Sequence, residues 1–160
     1  MTRKPVRLLR HPVILAALAL WLVNDHVLKG RGPGWLTGKL SDVACLVVVP
    51  ALFVGVVEFW QLCGGRSFVP RCELLIGAFV ATGLAMATIN IFDPAAWAYR
   101  NGLGALQWPL RQLVALPRGE LAPWRPVRLW MDPTDLWTLP ALAVPWLVSH
   151  RHFPRPPSGG

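Results

Sequence analysis

Long apolar runs separated by short polar segments dominate this chain. Three of the runs cover about residues 12–28, 40–62 and 73–92, and a fourth begins with MDPTDLW at 131 and ends near 148. Apolar runs of this length predict membrane-spanning α-helices rather than elements of a soluble core. The pattern therefore predicts an all-α membrane protein, built as a bundle of four transmembrane helices.

The longest polar interval, residues 93–131, predicts an interfacial helical connector between the third and fourth spans. Asp93 is expected to cap a helical turn with Pro94 at its first position. An amphipathic helix is expected next, with Pro109 as a break or a start, and the basic, Trp-rich segment 117–131 is expected to lie on lipid headgroups. The apolar face of the amphipathic helix would consist of Leu103, Leu106, Leu110, Leu113 and Leu116.

Composition supports a membrane protein and argues against a soluble one. Of the 160 residues 54% are hydrophobic and only 15% are charged, yet the net charge is +8. The cations lie in short segments between apolar runs, so anionic lipids explain them better than nucleic acid, which we exclude as a partner. Residues 1–150 are predicted to form a single domain, followed by a disordered tail at 151–160.

The N-terminal segment determines the predicted orientation. It is basic and precedes an apolar run, as in a signal peptide, but no small-residue cleavage site follows, so a retained first helix is expected. The cations divide evenly between the two sides of the membrane. The cluster next to the first helix usually dominates, which places the termini in the cytoplasm and the protein in the plasma membrane. Cys63 and Cys72 would then be reduced.

The stretch NDHVLKGRGPGWLTGKLSD, residues 24–42, concentrates polar side chains between the first two spans. Four antiparallel spans would bring it to the same membrane face as the end of helix three and the start of helix four. Ionisable residues at membrane depth are costly and tend to mark sites. The predicted polar face comprises Asp25, His26, Lys39, Ser41, Asp42, Asn90, Asp93, Asp132 and Asp135.

Each residue type on this face suggests a role. Carboxylate oxygens suit a divalent cation, and His26 beside Asp25 is a candidate catalytic base. Lys39 would hold a phosphate, with Ser41 and Asn90 as further substrate-binding residues. The predicted metal ligands are Asp25, Asp42, Asp132 and Asp135.

The same residues also have a purely structural interpretation. Ser41 or Asp42 would cap helix two, and Asp132 would cap helix four with Pro133 at its first position. Asp135 would then lie in the first turn, where a carboxylate complements the helix dipole. Asp25 is harder to explain, because a carboxylate near the end of a helix opposes the helix dipole. An i,i+4 pair with Lys29 could offset that unfavourable interaction.

Two segments carry a resemblance to known proteins. The run NDHVLKG…GWLTGKLSDVACLVVVPAL, with the later DPTDLWTLPAL, resembles a group of small bacterial integral membrane proteins. The chain is also faintly similar to VanZ-like proteins, small polytopic proteins with Asp, Lys and His at helix ends. The order Asp25-His26-Lys29 departs from that family's pattern, so the resemblance implies a polytopic membrane protein and transfers no functional residue.

Three functions follow as hypotheses. The leading one is a membrane-embedded site that binds or processes a lipid-linked or anionic envelope substrate, with membrane lipids as its partners. The second is a structural or accessory membrane subunit whose polar residues cap and pair. The third, an ion or proton pathway, would need polar residues at mid-membrane, and only Thr88 and Asn90 approach that depth. Whether the protein is an enzyme stays open.

Overall fold

The computed structural model describes residues 8–32, 34–66 and 72–149. Within these ranges every regular element is helical and no strand is present. This confirms the predicted all-α class. The predicted disordered tail lies outside the described residues.

Five α-helices are numbered here in chain order. Helix α1 contains a turn of π-helix at Asn24–Leu28, and a 3-10 helix at Pro133–Leu142 leads directly into α5. The helices are α1 (Pro12–Arg31), α2 (Trp35–Cys63), α3 (Cys72–Ile91), α4 (Asp93–Ala115) and α5 (Ala143–Ser149).

Helices α1, α2 and α3 are long and apolar enough to cross a membrane. At 1.5 Å per residue, the 20 residues of α1 extend about 30 Å, which matches the hydrocarbon core of a bilayer. The 29 residues of α2 extend about 44 Å, so this helix must continue beyond the hydrocarbon on at least one side. The membrane class predicted from the apolar runs is therefore confirmed for these helices.

Helix α2 begins at Trp35, earlier than the predicted start near residue 40. Gly34 occupies the cap position, and the Thr37 hydroxyl accepts the Gly34 N–H at 3.0 Å and donates to the Gly34 carbonyl at 2.9 Å. The first of these bonds gives the Gly34 N–H an acceptor at the helix start, while the Gly34 carbonyl also accepts the N–H of Gly38 at 3.1 Å. The prediction that Ser41 or Asp42 caps the helix is therefore wrong, because both lie more than one turn inside it.

The fourth apolar run does not form one long α-helix. A 3-10 helix covers Pro133–Leu142 and α5 follows as a short α-helix. Pro140 and Pro145 each lack an N–H, so neither can donate a helical hydrogen bond to the preceding turn. Among the residues that the structure describes, three helices are candidate spans, where four spans were predicted.

The chain divides into two compact units. Unit 1 comprises Met1–Leu84 and Trp137–Gly160. Helices α1 and α2 pack against each other, and α5 contacts α2. The rings of Phe79 and Trp146 meet edge to face at 5.5 Å. The buried apolar core of this unit includes Ile14, Val47, Ala51, Val54, Leu75 and Ala78.

Unit 2, Ala85–Leu136, contains α4 and the extended segment that follows it. Phe92, not Asp93, occupies the cap position of α4, and the helix continues through Pro109 without a break, so both predictions were wrong. Gly119 ends the helical region with a φ of 71°, a left-handed conformation that glycine adopts without strain. The prediction that residues 1–150 form a single domain stays a prediction.

Candidate functional site

The π-helical turn Asn24–Leu28 lies near the C-terminal end of α1 and carries the first polar residues after the apolar run. The N–H of Lys29 donates to the carbonyl of Asn24, five residues earlier, instead of four as in an α-helix. The wider turn rotates successive residues by a smaller angle, so neighbours such as Asn24 and Asp25 can both reach α2. Single π-turns within α-helices are frequent at functional sites.

A continuous chain of polar contacts joins α1 to α2. The Asn24 Nδ2 group donates to the Thr37 carbonyl at 2.6 Å and to the Ser41 hydroxyl at 2.7 Å. The Ser41 hydroxyl in turn donates to Asp25 Oδ1 at 2.6 Å. The Lys29 ammonium forms an ion pair with the same oxygen at 2.7 Å. We call Asn24, Asp25, Lys29 and Ser41 the polar centre.

The polar centre has a buried end and an accessible end. Asn24 is fully buried and Ser41 is 8% exposed, whereas the side chains of Lys29 and Asp25 are 37% and 35% exposed. Asn24 Oδ1 is buried and accepts no hydrogen bond from the described residues. Buried acceptors almost always have a donor, so an orphaned one needs an explanation.

The centre combines two kinds of chemistry at its accessible end. Lys29 supplies a cation with three donors, and Asp25 supplies a carboxylate that accepts hydrogen bonds. A salt bridge this exposed contributes only about 0–1 kcal/mol to stability. Both groups can therefore exchange partners with a polar ligand at small cost.

A second polar contact, between two residues predicted to share one membrane face, forms inside unit 2. Asn90 Oδ1 accepts the backbone N–H of Asp132 at 3.2 Å, and Asn90 Nδ2 donates to the Met86 carbonyl at 3.0 Å. Asp132 Oδ1 accepts the N–H of Thr134 at 2.9 Å and its hydroxyl at 2.7 Å. These bonds confirm the prediction that Asp132 caps the helix beginning at Pro133, and Asp135 lies in its first turn.

The other predicted site residues have different surroundings. His26 is exposed and forms no hydrogen bond or ion pair with the described residues. The Lys39 ammonium lies 5.9 Å from the centre of the Trp35 ring, within range of a cation–π interaction. Asp42 is half-buried in α2, one residue after Ser41. The catalytic role predicted for His26 and Asp25, and the substrate role predicted for Lys39, stay predictions.

The described residues contain no preformed cluster of metal ligands. Among residues 8–32, 34–66 and 72–149, no group of three or more His, Cys, Asp and Glu side chains is placed to hold a metal ion. Asp25 is engaged by Lys29 and Ser41, and Asp132 by Thr134. A divalent cation at Asp25, Asp42, Asp132 and Asp135 stays a prediction.

Thermal unfolding in detergent tests that metal prediction. If Asp25 is a ligand, Mg²⁺, Ca²⁺ or Mn²⁺ at 100 times its dissociation constant raises the stability of the wild-type protein by about 2.7 kcal/mol. The Asp25→Asn variant should lose that increase, because the amide replaces an anionic oxygen ligand with a neutral group. Equal metal responses of wild type and variant would contradict ligation by Asp25.

Sequence reasoning did not identify all of the centre. It placed Asp25, Ser41 and Lys39 in the site but gave no role to Asn24, which bonds to both Thr37 and Ser41. The available signal was an amide at the end of an apolar run, where polar side chains usually seek a partner on a neighbouring helix. It also missed the arginine side chains of unit 2 described below.

Comparison of the chain with protein-family models, curated proteins and solved structures finds no match. The resemblance to VanZ-like proteins stays a prediction.

Proposed function

We propose that this protein is an integral membrane protein that binds the polar group of a lipid-linked or anionic envelope substrate at its polar centre. One observation carries the proposal. The amide of Asn24, whose buried oxygen has no donor among the described residues, is connected through Ser41 of α2 to an accessible Asp25–Lys29 pair, and Asn24 and Asp25 lie in the π-helical turn of α1. Polar groups at membrane depth are retained at a cost, which function repays.

The ligand's chemistry follows from the groups that remain accessible. Lys29 would bind a phosphate or carboxylate of the substrate, and Asp25 would accept a hydrogen bond from a hydroxyl or amine of the same molecule. Ser41 and Asn24 would position Asp25 from the buried side. The apolar part of a lipid-linked molecule would lie along the apolar surface of α1.

We further propose that the protein lies in the plasma membrane, with four membrane spans and both termini in the cytoplasm. The 3-10 helix rises about 2.0 Å per residue and α5 about 1.5 Å, so residues 133–149 extend about 30 Å if they follow one axis. That length matches a bilayer core. Helix α4 would lie in the interface, because Leu106, Leu110 and Leu113 are exposed on one side of it.

A structural role is the second candidate, and the Asn24 contacts favour it. The two hydrogen bonds from Asn24 join α1 to α2, and interhelical hydrogen bonds in membrane proteins are worth about 0.6–2 kcal/mol each. On this account the centre only fixes the packing of the two helices. It predicts that no molecule is retained at Lys29.

Lys29→Gln tests binding against structure. We expect native mass spectrometry of the wild-type protein, extracted in mild detergent, to show a retained lipid or lipid-linked anion. Lys29→Gln should reduce the retained fraction at least tenfold, since a charge-assisted hydrogen bond is worth about 1.5–3 kcal/mol. The variant should unfold within about 1 kcal/mol of wild type, because the ion pair is exposed.

Arg31→Gln is the matched control. It removes one positive charge two residues farther along the same helix, where the side chain is exposed and forms no ion pair with the described residues. Retention should be unchanged in this variant. If the wild-type protein retains nothing, or if both variants lose the molecule equally, the polar centre is not a binding site and the structural role is preferred.

A further inference from the structure

Unit 2 contains a cavity, widely open to solvent, that none of the predicted site residues lines. It has a volume of about 590 Å³ and lies between α4 and the segment 122–128. That volume is within the range of about 300–1,000 Å³ typical of small-molecule sites. Three of its lining side chains are arginines, namely Arg111, Arg125 and Arg128.

The wall of this cavity is held in place by specific contacts. Gln112 donates to the Ala122 carbonyl at 2.9 Å and accepts the Ala122 N–H at 3.2 Å, and the Trp108 indole donates to the same carbonyl at 3.0 Å. The Val127 N–H donates to the Arg100 carbonyl at 3.1 Å. Segment 122–128 therefore runs antiparallel to α4, bonded to it near both ends.

Close backbone approach completes the wall. A Cβ atom at Gly104 would lie 2.9 Å from the Arg125 carbonyl oxygen and 3.0 Å from the Pro126 Cα, so only glycine allows this contact. The backbone of Arg125 therefore lies directly against α4, the helix that carries Arg111. Arg111 is oriented by a 3.0 Å bond to the Gln107 side chain.

Within residues 8–32, 34–66 and 72–149, no carboxylate forms an ion pair with Arg111, Arg125 or Arg128, so their charges are not neutralised there. The Nε of Arg100, in the same unit, is buried and also has no hydrogen-bond partner among the described residues. Guanidinium groups bind oxyanions such as phosphate in a bidentate manner, and arginine is the usual residue at such sites.

We propose that this arginine cavity binds a phosphate-bearing anion, held by Arg111, Arg125 and Arg128. A phosphate monoester or pyrophosphate offers several oxygens, which suits a cavity lined by three arginines. The ligand is either the headgroup of an anionic lipid or a soluble phosphate compound. The site does not rest on the polar centre, with which it shares no residue.

The experiment compares two sources of phosphate with one pair of variants. The full-length protein is studied in detergent with inorganic pyrophosphate, and in phosphatidylcholine nanodiscs with and without phosphatidic acid. Binding is measured as the shift of the thermal midpoint and by hydrogen exchange over residues 120–128. The wild-type protein should respond to at least one of the two probes.

The variants assign the response to the cavity. The double variant Arg125→Gln/Arg128→Gln should weaken the dissociation constant for the active probe at least tenfold, the effect of losing one charge-assisted hydrogen bond. Arg118→Gln removes a positive charge from the same unit, outside the cavity. This variant should change the dissociation constant for the active probe less than about twofold. Both arginines of the double variant are exposed, so its unliganded midpoint should match that of wild type.

Each outcome decides the proposal. A response to phosphatidic acid alone identifies a lipid headgroup, and a response to pyrophosphate alone identifies a soluble ligand. The proposal is overturned if neither probe binds, or if Arg118→Gln weakens binding as much as the double variant does. Such a failure would not contradict the function proposed for the polar centre. That function is tested separately, by measuring the molecule retained in wild type and in Lys29→Gln.

Discussion

Replacing Asn24 by Asp should lower the free energy of unfolding by about 3–5 kcal/mol, the cost of an uncompensated buried charge. The substitution exchanges only an NH₂ group for an oxygen, so the side-chain volume barely changes. The new oxygen would face the Thr37 carbonyl, now 2.6 Å from Asn24 Nδ2, and two acceptors cannot bond to each other. It would also place a second negative charge next to Asp25.

Asp25→Asn is the control for this prediction, because it makes the reverse exchange one residue later. The Asp25 side chain is 35% exposed and its ion pair with Lys29 is accessible to water, so the variant should lose only about 0–1 kcal/mol. Both variants are compared by SDS-induced unfolding in mixed micelles. Losses of equal size would show that burial of Asn24 is not what makes the π-helical turn sensitive.

Replacing Gly104 by Ala should destabilise unit 2 by about 1–3 kcal/mol, the usual cost of forcing extra atoms into a packed contact. The added methyl group would collide with the backbone at Arg125 and Pro126, which cannot rotate away as a side chain can. We expect the segment 120–128 to separate from α4 more often. Hydrogen exchange at the Ala122 and Val127 amides should accelerate correspondingly.

Gly102→Ala provides the matched control in the same helix. A Cβ atom at Gly102 meets no atom within 4 Å, so the substitution should stabilise α4 by up to about 1 kcal/mol through helix propensity. Exchange over residues 120–128 should then be unchanged or slower. Acceleration in both variants would show that flexibility of α4, rather than close packing at Gly104, holds the segment.

The sequence pattern predicted the location of the membrane helices well, because apolar runs long enough to span a bilayer have few alternatives. Helices α2 and α3 end close to the predicted positions. The start of α2 was missed, since Thr37 bonding back to Gly34 is a cap that competes with Ser41 and Asp42, and composition does not separate them. The fourth run was predicted as a plain helix, but Pro140 and Pro145 remove two backbone donors from it, and the structure has a 3-10 helix over Pro133–Leu142.

The candidate site was predictable in its residue types more than in its contacts. Asp25 and Ser41 were expected on one membrane face and they do meet, as do Asn90 and Asp132. The π-helical turn was not predictable, because it depends on Asn24 reaching two groups on another helix. The arginine cavity was missed because its lining depends on the chain reversal at Gly119 and on the close backbone contact at Gly104, which the sequence pattern did not indicate.

The short break between α1 and α2 has a consequence for the order of folding during synthesis. Every hydrogen bond and ion pair of the polar centre joins residues at most 17 positions apart. Contacts this local close small loops and form early, before contacts between distant segments. A nascent chain that has been synthesised as far as Cys63 already contains the complete polar centre, in a helical hairpin that can assemble while the rest of the chain is still on the ribosome.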